Sequence, residues 1–270
     1  MDKIHILGTG NAMVTKCYNT CFTLSHNEEH FLVDTGGGNG ILSNLEKLNI
    51  SINNIHNLFI SHCHNDHING ITWIIRSVAQ GVLRGNYEGN LNIYCHKSVG
   101  ETIRTICSLI LQNKFNSVLD KRILFHYIEH GDSLCILDSK VTFFDINSKK
   151  ELQYGFTLKD EAGMTLTFLG DEPYRDDVYE YCYNKDYILH EAFCLYSERD
   201  TFKPYEKHHA TVKDACVNGE ILKAKNIILY HTEDKNILNR KHLYSKEGKE
   251  FFSGNIFVPD DLDEIPLNSK

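Results

Sequence analysis

The stretch ISHCHNDHING, residues 60–70, places His62, His64, Asp66 and His67 within six positions. Imidazole nitrogens and carboxylate oxygens together suit Zn²⁺, Mn²⁺ or Fe better than Ca²⁺ or Mg²⁺. In an extended segment, side chains two apart share one face, so His62 and His64 point the same way. Asp66 and His67 are adjacent and must point elsewhere. One turn can therefore feed two neighbouring metal positions. A lone histidine is ordinarily a surface or core residue, as most of the 15 in this chain are expected to be. Four donors spaced H-x-H-x-D-H, directly after an apolar run, predict a metal centre instead. Gly70 gives the chain room to turn into the next element.

The elements that must position this cluster are short. The runs at 3–9, 20–25 and 30–35 are β-rich and separated by Gly, Asn and Ser. Ile41, Leu42, Leu45 and Leu48 predict a helix over 40–48. NLFIS (57–61) is a short buried strand that runs into the histidine cluster. Helical spacing returns over 68–80, through Ile71, Ile74, Ile75 and Val78. A strand at 90–95 precedes an amphipathic helix striped by Val99, Ile103, Ile106, Ile110 and Leu111. Further strands are expected at 122–128, 140–146, 154–158, 164–169, 186–191, 226–231 and 255–259. Helices are expected at 174–183, from a cap at Thr211 to about Lys223, and after 231. Consecutive strand runs with helices between and beyond them predict two packed sheets with helices outside. No low-complexity linker or internal repeat is visible, so a single domain over 1–270 is expected.

Composition narrows the function classes. Hydrophobic residues make up 41% and charged residues 24%, as in ordinary soluble globular proteins. The net charge of −8, with no long basic block, argues against a broad nucleic-acid footprint. No apolar run approaches the roughly 20 residues that span a bilayer, so no membrane partner is expected. The start MDKIHILGTG lacks the features of a secretion signal. Nine scattered cysteines without a C-x-x-C pair predict buried free thiols, among them Cys95, Cys107, Cys135, Cys182 and Cys194, and a cytoplasmic location.

The 62–67 cluster after an apolar strand resembles the signature of the metallo-β-lactamase fold, and other elements extend the likeness over nearly the whole chain. LGTGNA (7–12), YNTCF (18–22) and FLVDTGGG (31–38) resemble the opening of ribonuclease Z and related phosphodiesterases. FLGDEP (168–173), HEAF (190–193), HHAT (208–211) and LYHTED (229–234) resemble later elements of the same hydrolases. The resemblance implies an α/β fold, a four-layer αββα sandwich. It implies that His62, His64 and Asp171 hold one metal, and that Asp66, His67, His231 and the shared Asp171 hold a second. The expected ion is Zn²⁺, one or two per chain, with Mn²⁺ or Fe as alternatives. Asp66, Glu191 and His209 are the implied catalytic residues, with Glu191 orienting His209 and His209 protonating the leaving oxygen. Asp171 and His231 follow apolar runs, where a polar group without a partner would be costly, which agrees with ligand roles. His190 is expected to pack, and Arg76 and Arg84 to be solvated.

The likeness has two gaps. The family supplies a further histidine to the first metal, just before a strand matching Tyr154-Gly155-Phe156. Residues 141–156 contain no histidine, which leaves Asp145, Asn147 or water as the replacement. The protruding arm that grips transfer RNA in bacterial ribonuclease Z is expected between that point and Asp171. Residues 148–170 leave room only for two strands and a turn. The leading expectation is a metal-dependent phosphodiesterase acting on a small phosphodiester or an RNA 3′ end. The alternatives are a thioester or lactone hydrolase on the same site and a degenerate metal-binding member without catalysis. The resemblance also implies a homodimer.

Overall fold

Runs rich in β-branched and aromatic residues form short strands, and a computed structural model, which describes residues 1–267, gathers them into two seven-stranded sheets. The chain divides into two compact units with one sheet in each. Residues 1–8, 18–128 and 262–267 make the first; 9–17 and 129–261 make the second.

In the first unit, β1 (Lys3–Gly8), β2 (Cys21–His26), β3 (Glu29–Val33), β4 (Ile55–Phe59), β5 (Leu91–Cys95) and β6 (Ile123–Tyr127) lie side by side in that order. The short strand Glu264–Pro266 pairs outside β1. Pairing is antiparallel up to β3 and parallel from β3 to β6. Parallel neighbours need crossover connections. The helices Gly40–Lys47, Ile71–Arg84 and Lys97–Ile110 lie in the three crossovers. Helix Ile71–Arg84 buries Ile71, Ile74, Ile75 and Val78, as their spacing predicts, and stops at Gly85 in the left-handed region. Helix Lys97–Ile110 departs from its predicted stripe. Its buried line is Val99, Ile103 and Cys107, whereas Ile110 is exposed. Steps of four from Val99 reach Cys107, and Ile106 and Ile110 are turned away from that line.

In the second unit, β7 (Ser133–Ile136), β8 (Ser139–Asp145), β9 (Tyr154–Lys159), β10 (Thr165–Phe168), β11 (Tyr187–Glu191), β12 (Asn226–Tyr230) and β13 (Asn255–Phe257) again run in spatial order. Pairing is antiparallel up to β10 and parallel from β10 to β13. The two units thus share one topology although the sequence shows no repeat. Thr211 caps helix Val212–Ile221 as expected, and Asp214 completes a reciprocal capping box. The helix expected over 174–183 is instead a 3₁₀ turn at Asp176–Val178 and a single α turn at Tyr179–Cys182. Tyr183 is extended and Asn184 has φ 55°, which ends the helix there. β7 and Glu264–Pro266 were not expected; each is a short edge strand, too brief for a periodic signal.

Each unit has its own apolar core. The first gathers Leu32, Ile41, Leu58, Ile71, Ile75 and Ile93, and the second Phe144, Ile188, Val212, Ile227 and Tyr244. Among the described residues no disulfide joins the nine cysteines, and six are buried. Cys135 departs from expectation: it lies exposed on edge strand β7, where an apolar neighbourhood in sequence does not become one in space.

The first sheet also carries a buried histidine pair. His5 and His30 lie edge to face at 5.2 Å, and each meets a hydroxyl, Ser25 and Thr23 respectively. Burial pushes the His30 imidazole down to about 4, helped by His5, and burial likewise lowers His5. The unfolded chain, with histidine near 6.5, binds more protons than the folded one between about pH 4 and 6.5. Folding stability therefore falls as pH drops through that window, by on the order of 2–3 kcal/mol for His30. His30→Gln removes the titration and keeps a partner for Thr23. Chemical denaturation at pH 7 and pH 4.5 is expected to show a smaller loss for the variant than for the parent; equal losses would contradict this.

Candidate active site

The parallel half of each sheet ends its strands at one edge, the place where open α/β sheets put their ligand-binding groups. In the first unit, β3 delivers Asp34 and β4 delivers Ser61 and the 62–67 cluster. In the second, β10 delivers Asp171, β11 ends on Glu191, and β12 delivers His231. Every implied ligand but one is buried, with His62 and His67 at 0% exposure and Asp66, Asp171 and His231 at 4% or less. His64 is partly exposed.

Within the first unit the four cluster residues come together. His62 Nε2 and His64 Nδ1 are 2.9 Å apart, a separation that a shared proton or a shared cation supports. His62 Nδ1 meets Ser61 Oγ at 2.9 Å, which leaves Nε2 turned toward His64. His67 Nδ1 meets Asp34 Oδ2 at 2.8 Å, and its Nε2 faces Asp66 Oδ2 at 3.4 Å. Burial opposes charge on this ring, but the Asp66 and Asp34 carboxylates outweigh it and raise its pKa well above the ordinary value. Asp34 also accepts from the Ser61 N–H and Ser61 Oγ at 2.8 Å each. Asp34 thus holds the His67 imidazole in one orientation, as carboxylates do for imidazoles in metal sites.

The turn is locked to its neighbour. Thr35 N–H and Thr35 Oγ1 both donate to the His67 carbonyl, and Gly70 N–H donates to the Gly36 carbonyl. A Cβ at Gly70 would lie 2.1 Å from the Thr35 carbonyl oxygen, so this close approach, rather than an unusual φ, requires glycine.

Within the second unit, Asp171, Glu191, His209 and His231 come together. His231 Nε2 lies 3.7 Å from Asp171 Oδ2, and His209 Nδ1 lies 3.4 Å from Glu191 Oε2. Ligand atoms of Glu191, His209 and His231 all fall within 4.8 Å of one another. His209 stacks on Phe193 with ring planes 6° apart, and the Ala210 N–H donates to Glu191 Oε1. Burial pushes the His209 imidazole down to about 4, followed by the Lys150 ammonium. Burial also raises Glu191 well above the carboxylate range. His231 has φ 56°, a backbone conformation uncommon for a side chain of its size and concentrated at functional sites. Its neighbour Thr232 is tied down by the Thr9 carbonyl and by buried Arg240.

The segment that lacks the family's histidine shows what stands there. Asp145 Oδ1 accepts from the Asn147 N–H at 2.8 Å, and Asn147 is exposed. Gln153, fully buried, grips Asp171 twice: its Nε2 donates to Asp171 Oδ1, and its Oε1 accepts from the Asp171 N–H at 2.9 Å. Gly170, with φ 73°, makes this turn, and a Cβ there would strike Gln153. Residues 148–170 otherwise form only the β9–β10 hairpin. A cavity of about 200 Å³ opens beside His209, lined by Lys149, Glu172, Arg175, Tyr205 and His208.

His190 packs as expected, with Nδ1 2.7 Å from the Glu191 carbonyl and Nε2 near Asn218. Arg76 and Arg84 are exposed. Asp34, Ser61, Gln153 and Lys150 were not assigned from the sequence. Only Asp34 left a signal there, as an ionisable residue closing an apolar run.

The donor chemistry fits a metal. Imidazoles and carboxylates are buried together, the His67 carboxylate partner is in place, and the field at His67 favours a cation. The family model described as Anti-Pycsar protein Apyc1 matches residues 2–252. A ribonuclease Z of Nanoarchaeum equitans is 25% identical over 272 residues, covering 86% of this chain and 84% of the relative. The metallo-beta-lactamase fold protein YhfI of Bacillus subtilis superposes with a TM-score of 0.80 at 18% identity, covering 98% of this chain and 99% of that one. The short form of human tRNase Z gives 0.76 at 19% identity, covering all of both chains. The fold is therefore the α/β sandwich of the metallo-β-lactamase type. Among the described residues no helix is long and apolar enough to cross a membrane.

Proposed function

The chain belongs to the Anti-Pycsar protein Apyc1 family, and from that premise we propose that it is a metal-dependent phosphodiesterase of the ribonuclease Z type acting on a small phosphodiester. The observation that carries this reading is the buried Glu191–His209 pair beside Asp171 and His231. Expulsion of an alkoxide from phosphorus gains from a positioned acid of this kind. The Apyc1 family description names a role against Pycsar, and that role is carried to this chain as part of the same proposal.

By the family resemblance, His62, His64 and Asp171 would hold one ion, and Asp66, His67, His231 and Asp171 a second, with residues 1–270 acting as one domain. Zn²⁺ is the proposed ion, because imidazole and carboxylate donors dominate. When bound, the metal supplies Lewis acidity that lowers the pKa of water and offsets charge on phosphorus. The chain's own groups do the rest. Hydrolysis joins the water oxygen to phosphorus, breaks one P–O ester bond and places a proton on the departing oxygen. His209 holds that proton at an imidazole nitrogen, with Glu191 beside Nδ1. The incoming phosphodiester's negative charge counters that of Lys150, the second cause of the low His209 pKa, and so favours protonation of the ring. Asp34 and Ser61 fix the His67 and His62 rings. Gln153 fixes Asp171.

A small substrate is favoured over transfer RNA by charge and size. Holding an RNA body takes several cationic contacts to phosphates. The chain carries −8, and residues 148–170 offer Lys149, Lys150 and Lys159 against Glu151, Asp160 and Glu161. A cytoplasmic location and a homodimer belong to the same proposal, the former supported by nine cysteines in no disulfide. A side-by-side assay of a small phosphodiester and precursor transfer RNA at physiological salt tests the substrate class. Turnover of the small ester with weak or absent 3′ processing is expected. Efficient cleavage of the precursor at its discriminator end, with submicromolar affinity, would overturn it.

A further inference from the structure

We infer that Lys150, on the segment without the family's histidine, is a further catalytic residue that places its ammonium on a non-bridging oxygen of the scissile phosphodiester. The inference rests on the phosphodiesterase reading and extends it to a group that the resemblance does not supply.

A lysine that buries its stem normally sends its ammonium out to water. Lys150 does the reverse. Its side chain is only 19% exposed, and Nζ points inward to within 3.5 Å of His209 Nε2 and 3.9 Å of Asp171 Oδ2. The segment that carries it is pinned. Ser148 Oγ donates to Glu172 Oε1 at 2.7 Å and accepts from the Lys150 N–H at 3.1 Å and the Glu151 N–H at 3.2 Å. The Lys149 N–H donates to Glu172 Oε2 at 3.2 Å. Glu172 is thereby held by this segment, and its neighbours Lys149, Arg175 and His208 face the cavity beside His209. An anion entering that cavity meets Lys149 and Arg175, beside a Glu172 carboxylate already engaged by Ser148 and the Lys149 N–H, and then the Lys150 ammonium.

The two distances explain why the ammonium remains available. An N–H to nitrogen contact of 3.5 Å lies at the edge of hydrogen bonding, and 3.9 Å to oxygen lies beyond it. Neither contact saturates three N–H donors. A phosphoryl oxygen between Asp171 and His209 would accept from one of them. A fixed cation aimed where negative charge grows on phosphorus stabilises the transition state more than the ground state. The lysine thus offers a charge on the side where the sequence has lost an imidazole.

The test uses the metal-replete full chain with Lys150→Met, Lys150→Gln and Lys150→Arg. Bound metal is counted by elemental analysis, inorganic phosphate affinity by titration calorimetry, folding by thermal melting, and turnover on a nitrophenyl phosphodiester. Loss of one such donor costs about 10²–10³ in rate. The Met and Gln variants are expected to show that loss, at least about a tenfold weaker phosphate affinity, unchanged metal and an unchanged melt. The Arg variant is expected to recover most of the phosphate affinity. Parent-like phosphate affinity in both neutral variants would overturn the inference. So would a gain of bound metal with faster turnover, which would mark the lysine as a stand-in for an ion. A parent chain that turns over no phosphodiester sinks the phosphodiesterase reading, while phosphate affinity still reads Lys150 by itself.

Discussion

His209→Ala is expected to slow hydrolysis of a phosphodiester with a poor leaving group by about 10²–10⁴, the usual contribution of a positioned acid. The same change is expected to slow a nitrophenyl ester far less, since nitrophenolate departs without a proton. The geometry behind this is specific. His209 is held flat against Phe193 and has Glu191 at 3.4 Å from Nδ1. Glu191→Gln keeps the bond from the Ala210 N–H and removes the titratable carboxyl; it is expected to show the same leaving-group dependence at smaller amplitude. Rates measured on a series of aryl and alkyl esters decide the matter. Equal losses across the series would remove His209 from the acid role and leave it a packing residue.

His231→Ala is expected to remove more bound metal than His62→Ala. The second implied site has Asp66, His67, His231 and Asp171, whereas the first lacks a histidine and has a lysine ammonium 3.9 Å from Asp171. Loss of an outer partner alone costs a metal site about 10–100-fold in affinity, so loss of a ligand should exceed that. Elemental analysis of both variants, after each is shown to be folded, provides the comparison. A greater loss from His62→Ala would reverse the assignment of the tighter site.

The 62–67 cluster was legible because its donors are neighbours in sequence, so spacing alone set their directions. Asp171 and His231 were legible through their resemblance and through their place after apolar strands, where β10 and β12 do end. His190 read correctly as a packing residue for a similar reason: it lies inside β11. The residues that hold these groups in place were less legible. Asp34 is one aspartate after one strand, and only the turn over 34–36 brings it to His67 and Ser61. Gln153 and Lys150 reach Asp171 because the chain between β8 and β9 folds back, which no local pattern encodes. The readings that failed, Ile110 in the helix stripe, Cys135 as buried and a helix over 174–183, all extended a local apolar signal past the point where turns or edges end it.

Hydrolysis by this chain is expected to depend on bound metal. The purified chain is stripped with a chelator, shown to be metal-free by elemental analysis, and then titrated with Zn²⁺ while hydrolysis of a small phosphodiester is followed. Stripping is expected to abolish turnover, and activity to return in proportion to the ion bound. Full turnover by the metal-free chain, or none by the reloaded one, would contradict this.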